Sequence, residues 1–211
     1  MSRYTGPRSR ISRRLGTNIF GTKGEVAALD KRPYPPGEHG RTRRRGNPSE
    51  YLLQLQEKQK ARYTYGLNEK QFRRLYEEAS RREGVTGESM LQFLELRLDN
   101  VVYRAGMAAT RPQARQLVNH GHVDVKKLEQ SHGRRVDIPS YRVSKGDVVT
   151  LRSRARKMVV VQWNIDVLDR QPPAWLNVVD DGYEVSVLDL PSREQIDIPI
   201  REQLIVELYS K

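Results

Sequence analysis

The side chains that could do chemistry in this sequence are few in kind. None of the 211 residues is cysteine, which excludes thiolate nucleophiles, disulfides and cysteine-ligated zinc and leaves the redox compartment unreadable from thiols. The four histidines are His39, His120, His122 and His132. His120 and His122 have the spacing of a metal pair, but no carboxylate or cysteine set completes the four ligands of a structural zinc. No glycine-rich phosphate loop of either common type occurs. What stands out is Arg111 to Val125, RPQARQLVNHGHVDV. A helix starting near Thr110 puts Arg111, Arg115 and Asn119 along one face, with Gln113, Gln116 and His120 beside them and Leu117 and Val118 turned inward. Such a row suits recognition: guanidinium groups on phosphates, amides and imidazoles on sugar hydroxyls and bases. Alone, the same row is also what a solvated helix face looks like.

The elements that must hold this row can be read from capping signals and periodicity. Asn47-Pro48-Ser49-Glu50 predicts a helix start with Asn47 as cap, and the helix runs to Gly66. Asn68 and Gln71 form a second capping pair ahead of the stripe Phe72, Leu75, Tyr76 and Ala79, and that helix ends near Gly84. Thr86 caps a third helical stretch, Met90 to Ala105, with a possible break near Arg97–Asp99; Asp99 is itself a plausible cap or salt-bridge partner. The helix from Thr110 stops at Gly121. The period then changes to two. HVDV, RVDI, YRVS, DVVTLR, MVVVQW and EVSVLDL read as strands, and Pro199 to Glu202 opens a final helix, QLIVELYS.

The net charge of +12 is unevenly spread. Residues 1–50 carry 12 Lys+Arg against 4 Asp+Glu, residues 111–160 carry 12 against 4, and residues 161–211 carry 4 against 10. Two basic blocks and an acidic end are the pattern of an oriented polyanion binder, and they argue against a protein that coats nucleic acid by charge alone. The acidic end suits a protein neighbour or a solvated face. Residues 1–46 combine arginines with RPYPPGEHG and RTRRR; such an arm is poorly ordered alone and suited to folding against RNA, its rings on bases or sugars. No apolar run approaches the roughly 20 residues of a membrane span, and MSRYTGPRSRISRR lacks the apolar core of a secretory signal. Gly6, Pro7 and Gly16 break the helix that an organelle transit peptide would need.

LRLDNVVYRAGMAATRPQARQLVNHGHVDV followed by RRVDIPSYRVSKGD resembles the RNA-binding module named after bacterial small-subunit ribosomal protein S-four. MSRYTGP, RPYPPGEHG, QKARYTYGLNEKQFRRLY and REQLIVELYSK are similar to signatures of that family in the same order, so the resemblance spans the chain. It implies an α+β protein: an extended basic arm (1–46), a helical domain (47–97 with 198–211, the last helix returning to it) and an S-four-type RNA-binding domain of two helices plus a small antiparallel sheet (98–197). It implies a non-enzymatic, cofactor-free component of the small ribosomal subunit, of the bacterial cytoplasm or of an organelle with a bacterial-type ribosome. Such proteins bind small-subunit ribosomal RNA at a multi-helix junction of the 5′ domain, nucleate assembly of the subunit body and contribute to translational accuracy. The partners implied are that RNA, ribosomal protein S-five and other subunit proteins, and messenger RNA near the channel by which it enters; some relatives repress their own messenger.

The RNA-contact residues so implied are Arg111, Gln113, Arg115, Gln116, Asn119, His120 and His122 in the module, and Lys58, Lys60, Arg62, Tyr65, Lys70 and Arg73 in the helical domain. The arm adds Arg3, Tyr4, Arg8, Arg10, Arg13, Arg14, Lys31, Arg32, Tyr34, His39, Arg41, Arg43, Arg44 and Arg45. Two departures matter. Many relatives carry a zinc knuckle opening Cys-x-x-Cys; Ser9 and Ser12 stand there, and serine cannot replace thiolate on structural zinc, so no metal is expected. The loop KKLEQSHG also replaces a short Asn-Gly turn. Pseudouridine synthases with the same module use the aspartate of an Arg-Leu-Asp motif in catalysis, and Arg97-Leu98-Asp99 matches it in letters. In those enzymes, however, the motif follows the module in a separate catalytic domain, whereas here it runs straight into NVVYRAG at helical spacing.

Overall fold

The computed structural model describes residues 4–42, 47–168 and 170–210. The chain forms two compact units, residues 1–87 with 198–211, and residues 88–197.

The first unit holds α1 (Arg8–Leu15), α2 (Lys23–Lys31), α3 (Glu50–Thr64), α4 (Glu69–Ser80) and, from the end of the chain, α10 (Glu202–Ser210). α3 is capped by Ser49, whose hydroxyl accepts the Leu52 N–H, so the cap lies two residues beyond the expected Asn47 and Pro48 precedes it. α4 has the full capping box, Asn68 and Gln71 each accepting the other's backbone N–H. α10 packs along α3, where buried Gln54 donates to Glu207 at 3.0 Å and Glu57 accepts the Arg201 N–H at 3.1 Å. Tyr209 stacks on Tyr76 with ring centroids 4.7 Å apart and donates to Glu69 at 2.8 Å. Burial, then the Glu69 hydrogen bond and charge, push this phenol well above its ordinary value.

The arm is not extended through its described part. Gly16 at φ 71° ends α1, and the arm holds two short helices where a poorly ordered, extended segment was expected. Their shared core sets a polar pair beside buried Ile11 and Ile19. Ser12 is fully buried and donates to Glu25, whose carboxylate also accepts the N–H groups of Ile19 and Phe20. Burial outweighs these bonds and the nearby Arg8 charge, and raises the Glu25 carboxyl above its usual range.

The second unit contains most of α5 (Thr86–Glu95), then α6 (Leu98–Arg104), α7 (Arg111–Asn119) and a five-stranded antiparallel sheet of order β2-β1-β3-β5-β4. The strands are β1 (Val123–Lys126), β2 (Arg134–Arg135), β3 (Val148–Leu151), β4 (Leu176–Val179) and β5 (Glu184–Val187). One face of the sheet, with Val123, Val125, Val149, Leu151, Val185 and Val187, packs in the same core as Val101, Val102, Ala114, Leu117 and Val118. The units divide ten residues before the 97/98 boundary drawn from the sequence. The reason is Glu95: it accepts from Asn100 and Arg104, all at 2.8–3.0 Å, and so binds the end of α5 to α6.

Three expected strands are not strands. MVVVQW lies mostly in α9 (Val159–Val167), which follows the short α8 (Ser153–Arg156). In RVDI only Arg135 belongs to a strand; the Val136 N–H makes one more bond to Val123 O at 3.1 Å, and Pro139, directly after Ile138, has no N–H to carry a ladder on. YRVS pairs instead with the α5–α6 turn: Leu98 N–H donates to Tyr141 O at 2.8 Å and Val143 N–H to Leu96 O at 3.0 Å. That turn is the break expected near Arg97–Asp99.

Candidate nucleic-acid interface

Thr110 caps α7 by accepting the Gln113 N–H, Pro112 sits in its first turn, and Gly121 at φ 67° turns the chain into β1. The helix buries Ala114, Leu117 and Val118, so the polar row faces away from the core. The row is divided in its work. Arg111 donates to Asn100 at 2.9 Å and lies over the Tyr103 ring, 4.3 Å from its centroid. Gln113 accepts the Ala109 N–H. Arg115 meets Asp99 at 3.0 Å, and Asp99 is also held by Arg97 at 3.0 Å. Gln116, Asn119 and His120 are exposed and His122 is half-buried. The arginines are therefore first of all braces for α7, and the exposed polar groups of the row cluster at its C-terminal end.

Arg170 is a further brace that sequence reasoning missed. It donates to the carbonyls of Tyr103, Ala108 and Ala109 at 2.7–3.2 Å, satisfying acceptors left over at the end of α6 and in the α6–α7 turn. Its guanidinium also lies 3.9 Å from the Tyr103 ring centroid.

The outer sheet face carries, beside His122, a second set of groups that the sequence reading did not name. Period-two alternation puts His122 and Asp124 on one face of β1, and the registers Asp124↔Arg135 and Asp124↔Thr150 bring Arg135 and Thr150 beside them. Arg152, just past β3, donates its backbone N–H to His122 O at 3.0 Å and its side chain meets Asp124 at 3.5 Å. The Arg135 guanidinium fills the space a Cβ on Gly121 would take. Burial first, then the charges of His120, Arg154, Arg152 and Arg135, hold the His122 imidazole below its ordinary value. Strand pairing alone gathers these residues from positions 30 apart, so no local motif announces them.

In the first unit the expected contacts also separate. Arg8, Arg10, Arg14, Lys31, Arg32, His39, Arg41, Lys70 and Arg73 are exposed, and Tyr4 is exposed with its ring edge-on to Tyr63. Arg13 is committed within the arm: it donates to the carbonyls of Arg32 and Tyr34 at 3.1 Å and lies over the Tyr34 ring. Lys58 is buried against Glu69 at 2.8 Å, Lys60 meets Glu57 at 2.7 Å, and Arg62 donates to Gln59 at 2.8 Å. Tyr65 is 3% exposed, which removes its ring from any stacking with a base in this conformation. Arg3, Arg43, Arg44 and Arg45 lie outside the described residues.

The Ser12 hydroxyl, which stands where many relatives carry a knuckle cysteine, is spent on Glu25. Among the described residues no group of three or more His, Asp or Glu is arranged to hold a metal ion.

Residues 3–95 match the family model for the ribosomal protein S4/S9 N-terminal domain, and residues 96–125 match the S4 domain. Across its whole length the chain is 54% identical to the small ribosomal subunit protein uS4 of Corynebacterium ammoniagenes, over all of that protein. It is 57% identical to that of Mycobacterium avium and 56% to that of Mycobacterium tuberculosis, again with both chains fully covered. The chain belongs to the uS4 family. The S4-domain match runs from the α5–α6 turn through β1, so it takes in the braced helix and the polar corner at its end. The letters Arg97-Leu98-Asp99 are structural in this uS4 chain: Asp99 is 5% exposed and closed off by two guanidinium groups.

Proposed function

We propose that the protein is a structural, non-catalytic component of the small ribosomal subunit that binds small-subunit ribosomal RNA directly. The observation that carries this reading is the corner between α7 and β1. Exposed Gln116, Asn119 and His120 stand on a helix fixed by Arg111–Asn100, Arg115–Asp99 and the Arg170 clamp. Groups with both donors and acceptors on a rigid support are what reading a folded RNA needs, because binding then orders few side chains. The exposed cations of the first unit supply phosphate neutralisation.

On this reading the target is the multi-helix junction of the 5′ domain, and binding there nucleates assembly of the subunit body. Contact with ribosomal protein S-five, a position near the channel by which messenger enters and an influence on accuracy follow from the same placement. The test is affinity for a 5′-domain transcript against an unrelated folded RNA over a salt series, with Gln116→Ala/Asn119→Ala alongside. The expected result is a strong preference for the ribosomal transcript. The double change should lower that affinity about tenfold while leaving the salt slope intact, because both residues are neutral. Equal affinity for both RNAs, untouched by the double change, would leave a basic coating protein and overturn the reading.

A further inference from the structure

We propose that His122, with Arg135, Arg152 and Arg154, forms a phosphate site on the sheet side of the α7–β1 corner at which RNA binding is coupled to proton uptake. The inference rests on the RNA-binding reading above and adds a site and a linkage to it. The groups facing His122 come from four places. His120 stands at the end of α7, its ring centroid 6.1 Å from that of His122. Arg135 reaches over Gly121 from β2, Arg152 follows β3, and Arg154 lies in α8. Among the described residues the carboxylates on this side of the sheet are Asp124, Asp137 and Glu184, the last engaged by the Thr150 hydroxyl at 3.1 Å. Asp124 meets Arg152 at 3.5 Å, and Asp137 stands 4.0 Å from Arg135. Both are long contacts between side chains that are only partly buried, 31–59% exposed, so neither neutralises its arginine well.

Three guanidinium groups and two imidazoles thus converge with two loosely held carboxylates. In the free protein a proton on His122 would join a cluster already positive, and the imidazole is held neutral more readily than usual by burial and by those charges. A phosphate seated among the arginines reverses the balance. It cancels their repulsion and accepts a hydrogen bond from the imidazolium, a charge-assisted bond. The sign follows: the complex binds more protons than the free protein, so affinity rises as pH falls through the window between the bound and free pKa values of His122. Outside that window the dependence is flat. Inside it the limit for one proton is a tenfold gain in affinity per pH unit.

Calorimetry with the full chain and a 5′-domain transcript, in two buffers of different ionisation heat, counts the protons taken up. Proton NMR of the His122 ring, free and bound, assigns them. The expected result is net uptake that His122→Asn abolishes and His120→Asn largely keeps, with the His122 titration moved upward in the complex. Arg154→Ala should also lower the log–log salt slope by about one phosphate contact. The NMR comparison on the unsubstituted chain stands even if a variant folds poorly. Preferential binding with no uptake, or with uptake indifferent to His122→Asn, overturns this proposal and leaves RNA recognition standing. Absence of any preference for the ribosomal transcript overturns both.

Discussion

Replacing Asp99 with alanine removes the carboxylate on which α6 and α7 are joined. Its side chain is 7% exposed and meets Arg97, 9% exposed, and Arg115, 25% exposed, each at 3.0 Å. Without it Arg97 is left as a buried guanidinium with no opposite charge at the same place. Glu95, the other buried carboxylate of this region, is already engaged by Arg104 and Asn100. Breaking a buried pair costs about 3–5 kcal/mol, and Arg115 can regain water by swinging outward, so the lower end of that range, ~3 kcal/mol, is expected. That is more than a hundredfold in the ratio of folded to unfolded unit. The assay is built into the sequence. Both tryptophans, Trp163 and Trp175, lie in the second unit, so urea unfolding followed by their fluorescence reports that unit. Asp99→Asn, which keeps the shape and loses the charge, should fall between wild type and alanine. A loss under about 1 kcal/mol for Asp99→Ala would refute the claim that this carboxylate braces the reading helix.

Further outcomes follow from the same contacts. Arg115→Ala should lower both stability and RNA affinity, whereas Gln116→Ala/Asn119→Ala should lower affinity at unchanged stability; fluorescence melts beside binding curves separate the two. Glu25→Ala leaves the Ile19 and Phe20 N–H groups and the buried Ser12 hydroxyl without their acceptor, about 1–3 kcal/mol for each group, so hydrogen exchange over Arg8–Lys31 should lose its protection. Because the folded-state carboxyl of Glu25 is raised above its ordinary 4.5, its contribution to arm stability is fullest below that pH and is lost as pH rises through the folded value. Glu25→Gln should abolish that part of the pH dependence of exchange. Ultraviolet titration should leave one tyrosine protonated beyond the usual phenol range, and Tyr209→Phe should remove it.

Much of this was legible wherever a local signal and the tertiary fold agree. The Asn68–Gln71 box, the Thr110 cap, the glycine stop at 121 and the apolar spacing of α4 to α7 all report chemistry within a few residues, and all stand in the structure. MVVVQW misled because three consecutive valines favour a strand on propensity. In α9, Val161 and Asn164 turn inward while Val159, Val160, Trp163 and Val167 face out, which is helical spacing. The arm's order escaped notice because it rests on only two buried isoleucines, Ile11 and Ile19, together with Ser12 and Glu25, a polar pair that no count of hydrophobic residues finds. At the candidate interface the row on α7 was readable as a row, but its duties were not. Which residues brace the helix and which stay exposed depends on Asp99, Asn100 and Arg170, and on strand pairing that carries Arg135 and Arg152 to His122.

The most direct measurement is ultraviolet crosslinking of the intact protein to the small-subunit 5′-domain RNA, with the crosslinked peptides mapped by mass spectrometry. Crosslinks at Gln116 to His122, together with the exposed cations of the first unit, are the predicted result. Crosslinks confined to the arm, with the α7–β1 corner unmarked in a specific complex, would contradict it.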